Sequence, residues 1–149
     1  MKQKITNGEV KLLMKCLEEL SNNEVKLSVN AWFKLSKNSA LLETADSHTE
    51  STRVQLVKQY GKEGENGTVV VPEEDMDAFK TAYISLLSQM TDIDFEMIKM
   101  TELTKETKEI HSVAGIYKFF KYMVKDDTET TKITKSTSKK KSEKKLESV

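Results

Sequence analysis

Residues 30–60 contain neither proline nor glycine. Nothing in that stretch breaks a helix, and Gly61 follows it as a natural stop. A helix over the whole span would be about 46 Å long at roughly 1.5 Å per residue. Its middle, residues 44–52, is rich in Ser, Thr and His with Ala45 as the one apolar residue, which is poor helix-forming material. The stretch therefore predicts either one long, partly exposed helix or a break near residues 44–52. Just upstream, Val25, Leu27 and Val29 alternate with polar residues as a strand does, yet Ser28 is equally suited to cap the helix that carries Trp32, Phe33 and Leu35.

Around this span the other elements are amphipathic. Residues 3–5 suit a short strand. Thr6-Asn7-Gly8-Glu9 has the form of a capping box, in which a hydroxyl and a carboxylate satisfy exposed amides at a helix start. Val10, Leu13, Met14, Leu17 and Leu20 follow as one stripe, with Cys16 beside it as a packing residue. Gly61, Gly64 and Gly67 lie in a connection with an Asn66-Gly67 turn, and its glutamates speak against a phosphate-binding loop. Residues 68–71 predict a strand. Pro72 then opens a helix whose early Glu73, Glu74, Asp75 and Asp77 complement the positive helix start. Met76, Phe79, Tyr83, Leu86, Leu87 and Met90 make the cleanest apolar stripe. Residues 92–97 alternate strictly, predicting a half-buried strand with Asp92, Asp94 and Glu96 on one face. A last helix over residues 112–124 turns Val113, Ile116, Tyr117, Phe120 and Val124 inward. Phe119, Tyr122 and Met123 form a second apolar face, a candidate partner surface.

Chemistry is constrained by what is scarce. The chain has two histidines, His48 and His111, and one cysteine, Cys16. These have no short metal-ligand spacing, and a zinc site would have to be assembled from them and scattered carboxylates. A lone cysteine excludes an internal disulfide framework and fits a reducing compartment. Nucleotide-binding, nucleophile-elbow and zinc-protease motifs are absent. Asp92, Asp94 and Glu96 are the only arrangement resembling an acid pair or hard-cation site, and a solvated strand face explains them equally well. The expectation is therefore no catalytic residues, no cofactor and no metal. No apolar run is long enough to cross a bilayer, and the first ten residues lack the apolar core of a secretory signal.

Charge is segregated along the chain. Lysines and arginine exactly balance acids over the 149 residues, but residues 131–149 hold seven lysines against two glutamates. This Ser/Thr/Lys-rich segment offers little to bury, so residues 126–149 are expected to be a disordered tail after a single domain at 1–125. Lys139, Lys140, Lys141, Lys144 and Lys145 are candidate nucleic-acid contacts, weak and salt-dependent. No aromatic residue accompanies them.

The opening KITNGEV (residues 4–10) resembles the start of an uncharacterised family of small proteins from tailed phages and prophages of Gram-positive bacteria. The order of later blocks is similar: VKLS at 25–28, then Glu50, Arg53, Leu56, Tyr60 and Gly61, a Gly/Asn loop with a short valine strand, an acidic helix, the 92–103 block and a closing apolar helix. Members commonly carry proline where this chain has Glu24. The resemblance covers about residues 1–124 and implies a phage setting, with a location in the bacterial host cytoplasm or the virion. It implies no reaction.

These readings converge on an α+β domain, predominantly helical, with three to four helices on a small sheet from residues 3–5, 68–71 and 92–97. The expected role is non-enzymatic contact with a phage or host protein, in particle assembly for instance. The alternative is a nucleic-acid-associated regulator or host-takeover factor using the lysines. A homo-oligomer is left open, and no membrane partner is expected.

Overall fold

The computed structural model describes residues 2–23, 25–103 and 113–127. Strand β1 (Gln3–Thr6) leads directly into helix α1 (Asn7–Asn22) through the anticipated capping box. Thr6 Oγ1 accepts from the Glu9 amide at 3.1 Å, and the Glu9 carboxylate accepts from the Thr6 amide at 3.2 Å. Ser28, not a strand, governs the next entry. Its hydroxyl accepts from the Ala31 amide at 3.1 Å and starts helix α2 (Val29–Tyr60). The strand pattern at residues 25–29 leaves only an isolated bridge between Leu27 and Leu103.

Helix α2 runs unbroken for 32 residues, about 48 Å. In its hydroxyl-rich middle Thr44, Ser47 and Thr52 donate back to the carbonyls of Ala40, Thr44 and His48. A hydroxyl satisfied within its own helix no longer competes for the backbone of another conformation. The helix ends at Gly61, though not through a left-handed residue, since its φ is −92°. A Cβ there would stand 2.4 Å from the Val57 carbonyl and 2.5 Å from Val69 Cγ1, so glycine is needed for close approach.

A hairpin of β2 (Lys62–Glu63) and β3 (Val69–Val70) turns the chain back, with Asn66 and Gly67 both at positive φ. Helix α3 (Glu73–Ser88) then returns along α2 to β4 (Met90–Ile93), which pairs antiparallel with β1. A parallel pair, β5 (Ile98–Lys99) with β6 (Val124–Lys125), flanks helix α4 (Ile116–Met123). The fold class is α+β and mostly helical. In place of one small sheet, however, the described strands form three separate pairs.

Three expectations are corrected. The strand expected at residues 92–97 ends at Ile93, yet burial still alternates through Phe95. The buried Asn38 side chain donates to the Glu96 carbonyl at 2.9 Å and accepts from the Glu96 amide at 2.7 Å. A single side chain thus stands in for a neighbouring strand. The α3 stripe is only half-buried apart from Leu86, and Met90 is largely exposed, because α3 lies along the outer half of α2 without a third layer over it. On and beside α4, Val113, Ile116 and Val124 are buried and Phe120 partly so, as expected, but Tyr117 is 88% exposed, and the second face of Phe119, Tyr122 and Met123 is buried as well. The cause is Gly115, whose φ of +78° and close approach to Leu12 and Cys16 lay α4 against α1 by that face.

The core gathers α1, the first half of α2, α4 and the β1/β4 pair, with Ile5, Leu13, Leu20, Leu42, Ile98 and Phe119 fully buried. The outer halves of α2 and α3, joined by the β2–β3 hairpin, extend beyond it as an arm.

Candidate binding groove

Helices α1 and α2 run antiparallel. Lys11, near the start of α1, meets Asp46 at 2.8 Å and Glu50 at 2.6 Å, while Ser21 and Asn22 at its end lie beside Trp32. Between the two helices is an open groove of about 710 Å³. Its floor is Met14, Leu17, Trp32 and Leu35, and its walls carry Lys15 and Glu18 from α1 and Ser36, Ser39 and Glu43 from α2. Met14, Leu17 and Trp32 are partly buried and rest on the core, so the floor is a rigid extension of it. The groove exists because the apolar stripe of α1 is wider than the face α2 covers. Leu13, Cys16 and Leu20 are fully buried, Cys16 beside Gly115 at the start of α4, whereas Met14 and Leu17 are only partly buried and line the groove.

One end of the groove is closed by charge. Burial works against the charged Lys11 amine, but the hydrogen bonds it donates to Asp46 and Glu50 outweigh it and hold the pKa above its ordinary value. Glu50 is held below the usual carboxylate range by Lys11 and by Arg53, whose Nε donates at 3.0 Å. This pins the start of α1 to the middle of α2 and fixes the groove's width at that end.

A second polar node lies on the opposite side of α1. The Glu9 carboxylate, already engaged by Thr6, accepts from Tyr122 Oη at 2.8 Å and pairs with Lys118 at 2.9 Å. Burial alone would raise its pKa, yet these hydrogen bonds lower it to about 2. Burial, with Glu9 as hydrogen-bond partner, pushes Tyr122 up to about 12. Tyr122 is thus committed to holding α4 on α1. With Phe119 and Met123 it belongs to the interior and not to a partner surface.

The other residues singled out from the sequence are not assembled into a site. Asp92, Asp94 and Glu96 are solvent-facing, and the Glu96 carboxylate stands 3.9 Å from Lys37. Cys16 is buried under Gly115, with burial pushing its thiol up to about 12. His48 lines a separate pocket of about 190 Å³ with Asn7, Thr52 and Met90. His111 lies outside the described residues, as do Lys139, Lys140, Lys141, Lys144 and Lys145. Among the described residues no group of three His, Cys, Asp or Glu side chains is placed to hold a metal ion, and no helix is long and apolar enough to cross a membrane.

The groove itself was not foreseen. Met14 and Leu17 were visible as members of a stripe, and Trp32 as an apolar residue of the next helix. Their meeting depends on the antiparallel packing of two helices, which no local spacing encodes. No family model, curated protein or solved structure matches the chain.

Proposed function

We propose that this chain is a non-enzymatic accessory protein of a phage or prophage, acting in the bacterial host cytoplasm or on the virion by holding another polypeptide in the α1–α2 groove. The observation that carries the reading is the groove's combination of an apolar floor with polar walls. A surface of this kind suits the apolar side chains of an amphipathic segment, with polar groups at the rim setting orientation. The resemblance of the opening residues to a phage family supplies the setting.

Affinity isolation from prophage-induced cells, with nuclease-treated lysate, tests it. The full chain retains a phage or host protein after nuclease, and Trp32→Glu loses that protein while keeping its circular dichroism spectrum. Equal retention by Trp32→Glu would remove the groove from the explanation. Turnover abolished by Asp92→Ala, Asp94→Ala or Glu96→Ala would replace the reading with an enzymatic one.

A second reading is favoured by the lysine surplus of residues 131–149. In it, Lys139, Lys140, Lys141, Lys144 and Lys145 contact a nucleic-acid backbone and the chain acts as a regulator. Deleting residues 131–149 then abolishes nuclease-sensitive retention, which the groove reading does not require.

A further inference from the structure

The α1–α2 groove has an acidic rim on both helices. Glu18 on α1 and Glu43 on α2 are exposed and take part in none of the ion pairs among the described residues, whereas Lys11 at the groove's end is already matched by Asp46 and Glu50. An occupant that fits therefore carries an apolar side chain for the Met14–Leu17–Trp32 floor, flanked by cations for Glu18 and Glu43; Lys15 is the one opposing charge on the walls. The chain contains such a sequence after its last described residue: Lys144-Lys145-Leu146, preceded by Lys139-Lys140-Lys141.

The route is open. Asp127 accepts from Thr101 Oγ1 at 2.7 Å, and the next residue, Glu102, is bonded to Asn30 and Lys34 on one flank of α2. At 3.6 residues per turn, Val29 and Phe33 come next around the helix and Trp32 and Ser36 after them, so the groove lies about half a turn from that flank. Half the circumference of a helix about 10–12 Å across is roughly 16–19 Å, and the nineteen residues from Asp127 to Leu146 reach up to about 63 Å. The surface crossed on the way is apolar, with Val29 88% and Phe33 60% exposed.

We propose that in the absence of a partner Leu146 of the same chain occupies the α1–α2 groove, with Lys144 and Lys145 facing Glu18 and Glu43. The tail then competes with the external segment for one site, and a partner gains access by displacing it. Tethering favours this occupant over a second copy, because attachment raises the effective concentration of the tail at its own groove. The inference rests on the groove being a docking site. Its failure is distinguishable, since partner retention and tail occupancy are read by different measurements.

Trp32 is the only tryptophan, so its emission reports the groove directly. In the full-length protein Leu146→Asp shifts Trp32 emission to the red and exposes it to acrylamide, as does the double variant Glu18→Lys, Glu43→Lys. Leu146→Ile leaves both properties unchanged. Leu146→Asp also strengthens partner retention, which Trp32→Glu abolishes. A spin label on Ser142→Cys enters that site alone, because Cys16 is buried with an unreactive thiol. It broadens the amides of Met14, Leu17, Trp32 and Ser36, and leaves Ile84 on α3 sharp. Identical emission and quenching in Leu146→Asp and wild type overturns the proposal. So does equal broadening at the groove and at Ile84, or broadening that persists undiminished when isotope and spin label are placed on different molecules.

Discussion

At the scale of single residues, Glu9 joins the most structure. It closes the capping box of α1, accepts from Tyr122 and pairs with Lys118, so one carboxylate ties the start of α1 to α4. Its folded pKa of about 2 lies below the ordinary glutamate value of 4.5. A group depressed in this way contributes its stability above the unfolded pKa and loses it as pH falls through the folded one. The window is therefore about pH 4.5 down to about 2, and the contribution at neutral pH is on the order of 3 kcal/mol. Urea midpoints measured from pH 7 to pH 2 should fall through that window for wild type, and Glu9→Gln should be destabilised at pH 7 with a flatter profile. A Glu9→Gln profile as steep as wild type would assign the acid sensitivity to other carboxylates. The two halves of this node differ in how legible they are. Thr6 and Glu9 are three apart, and their spacing alone announces a cap. Tyr122 is 113 residues from Glu9, and in the sequence it is simply one of several aromatics on a strongly apolar helix. That difference explains why Phe119, Tyr122 and Met123 looked like surplus surface: the group that draws Tyr122 inward is remote in the chain.

Among elements, the informative cases are those where a local signal and its neighbours disagree. Residues 92–97 alternate as a strand does, and burial follows the alternation, but Asn38 on α2 holds the Glu96 backbone where a strand partner would be expected. Asn38→Leu removes both partners of the Glu96 backbone and should cost about 1–3 kcal/mol by chemical denaturation. Asn38→Asp keeps the acceptor, loses the donor and places a carboxylate against a carbonyl, so it should not recover that loss. A cost under about 0.5 kcal/mol for Asn38→Leu would mean that water replaces the clamp. Gly115 is the corresponding device for α4. At φ +78°, with Leu12 Cγ 2.9 Å from where a Cβ would lie, Gly115→Ala meets both backbone strain and overlap, and should cost roughly 2–4 kcal/mol. Helix α2 shows the reverse situation, in which poor local propensity is overcome. Its exposed Ser47 and Ser51 contribute no buried surface, so changing both to Ala should raise stability by a few tenths of a kcal/mol each. The sequence pattern left the long helix and a broken one equally open because propensity is summed locally, whereas α2 is held by α1 along its first half and by α3 along its second.

For the whole molecule, the distribution of burial predicts an uneven response to unfolding. Beyond Thr49 no residue of α2 is buried, and on α3 only Leu86, at the end nearest the core, is. The arm is held by half-buried contacts: Tyr60 meets Phe79 edge-on at 6.4 Å, and Phe79 stacks on Tyr83 at 6.1 Å. Its ion pair between Lys62 and Glu74 is 3.9 Å long and largely exposed, which contributes little. In contrast, the inner half of α2 shares Ala31, Leu35, Asn38 and Leu42 with the main core and is fastened at Asp46 and Glu50 to α1. Local opening free energy scales with such buried contacts, so the arm should open without the core. In native-state hydrogen exchange, amides of residues 54–60 and 74–82 are expected to exchange through an opening that depends weakly on denaturant. Those of residues 35–45 and 10–20 should exchange only through global unfolding, with the full denaturant dependence. Phe79→Ala removes both aromatic contacts and sharpens the test: it should accelerate exchange throughout the arm while leaving the protection of residues 10–20 nearly unchanged. If Phe79→Ala lowers both sets equally, arm and core form one cooperative unit. The groove sits on the core side of this boundary, its floor continuous with residues that open last. A partner or the chain's own tail thus docks on the rigid part of the molecule, while the arm is free to move without disturbing the site.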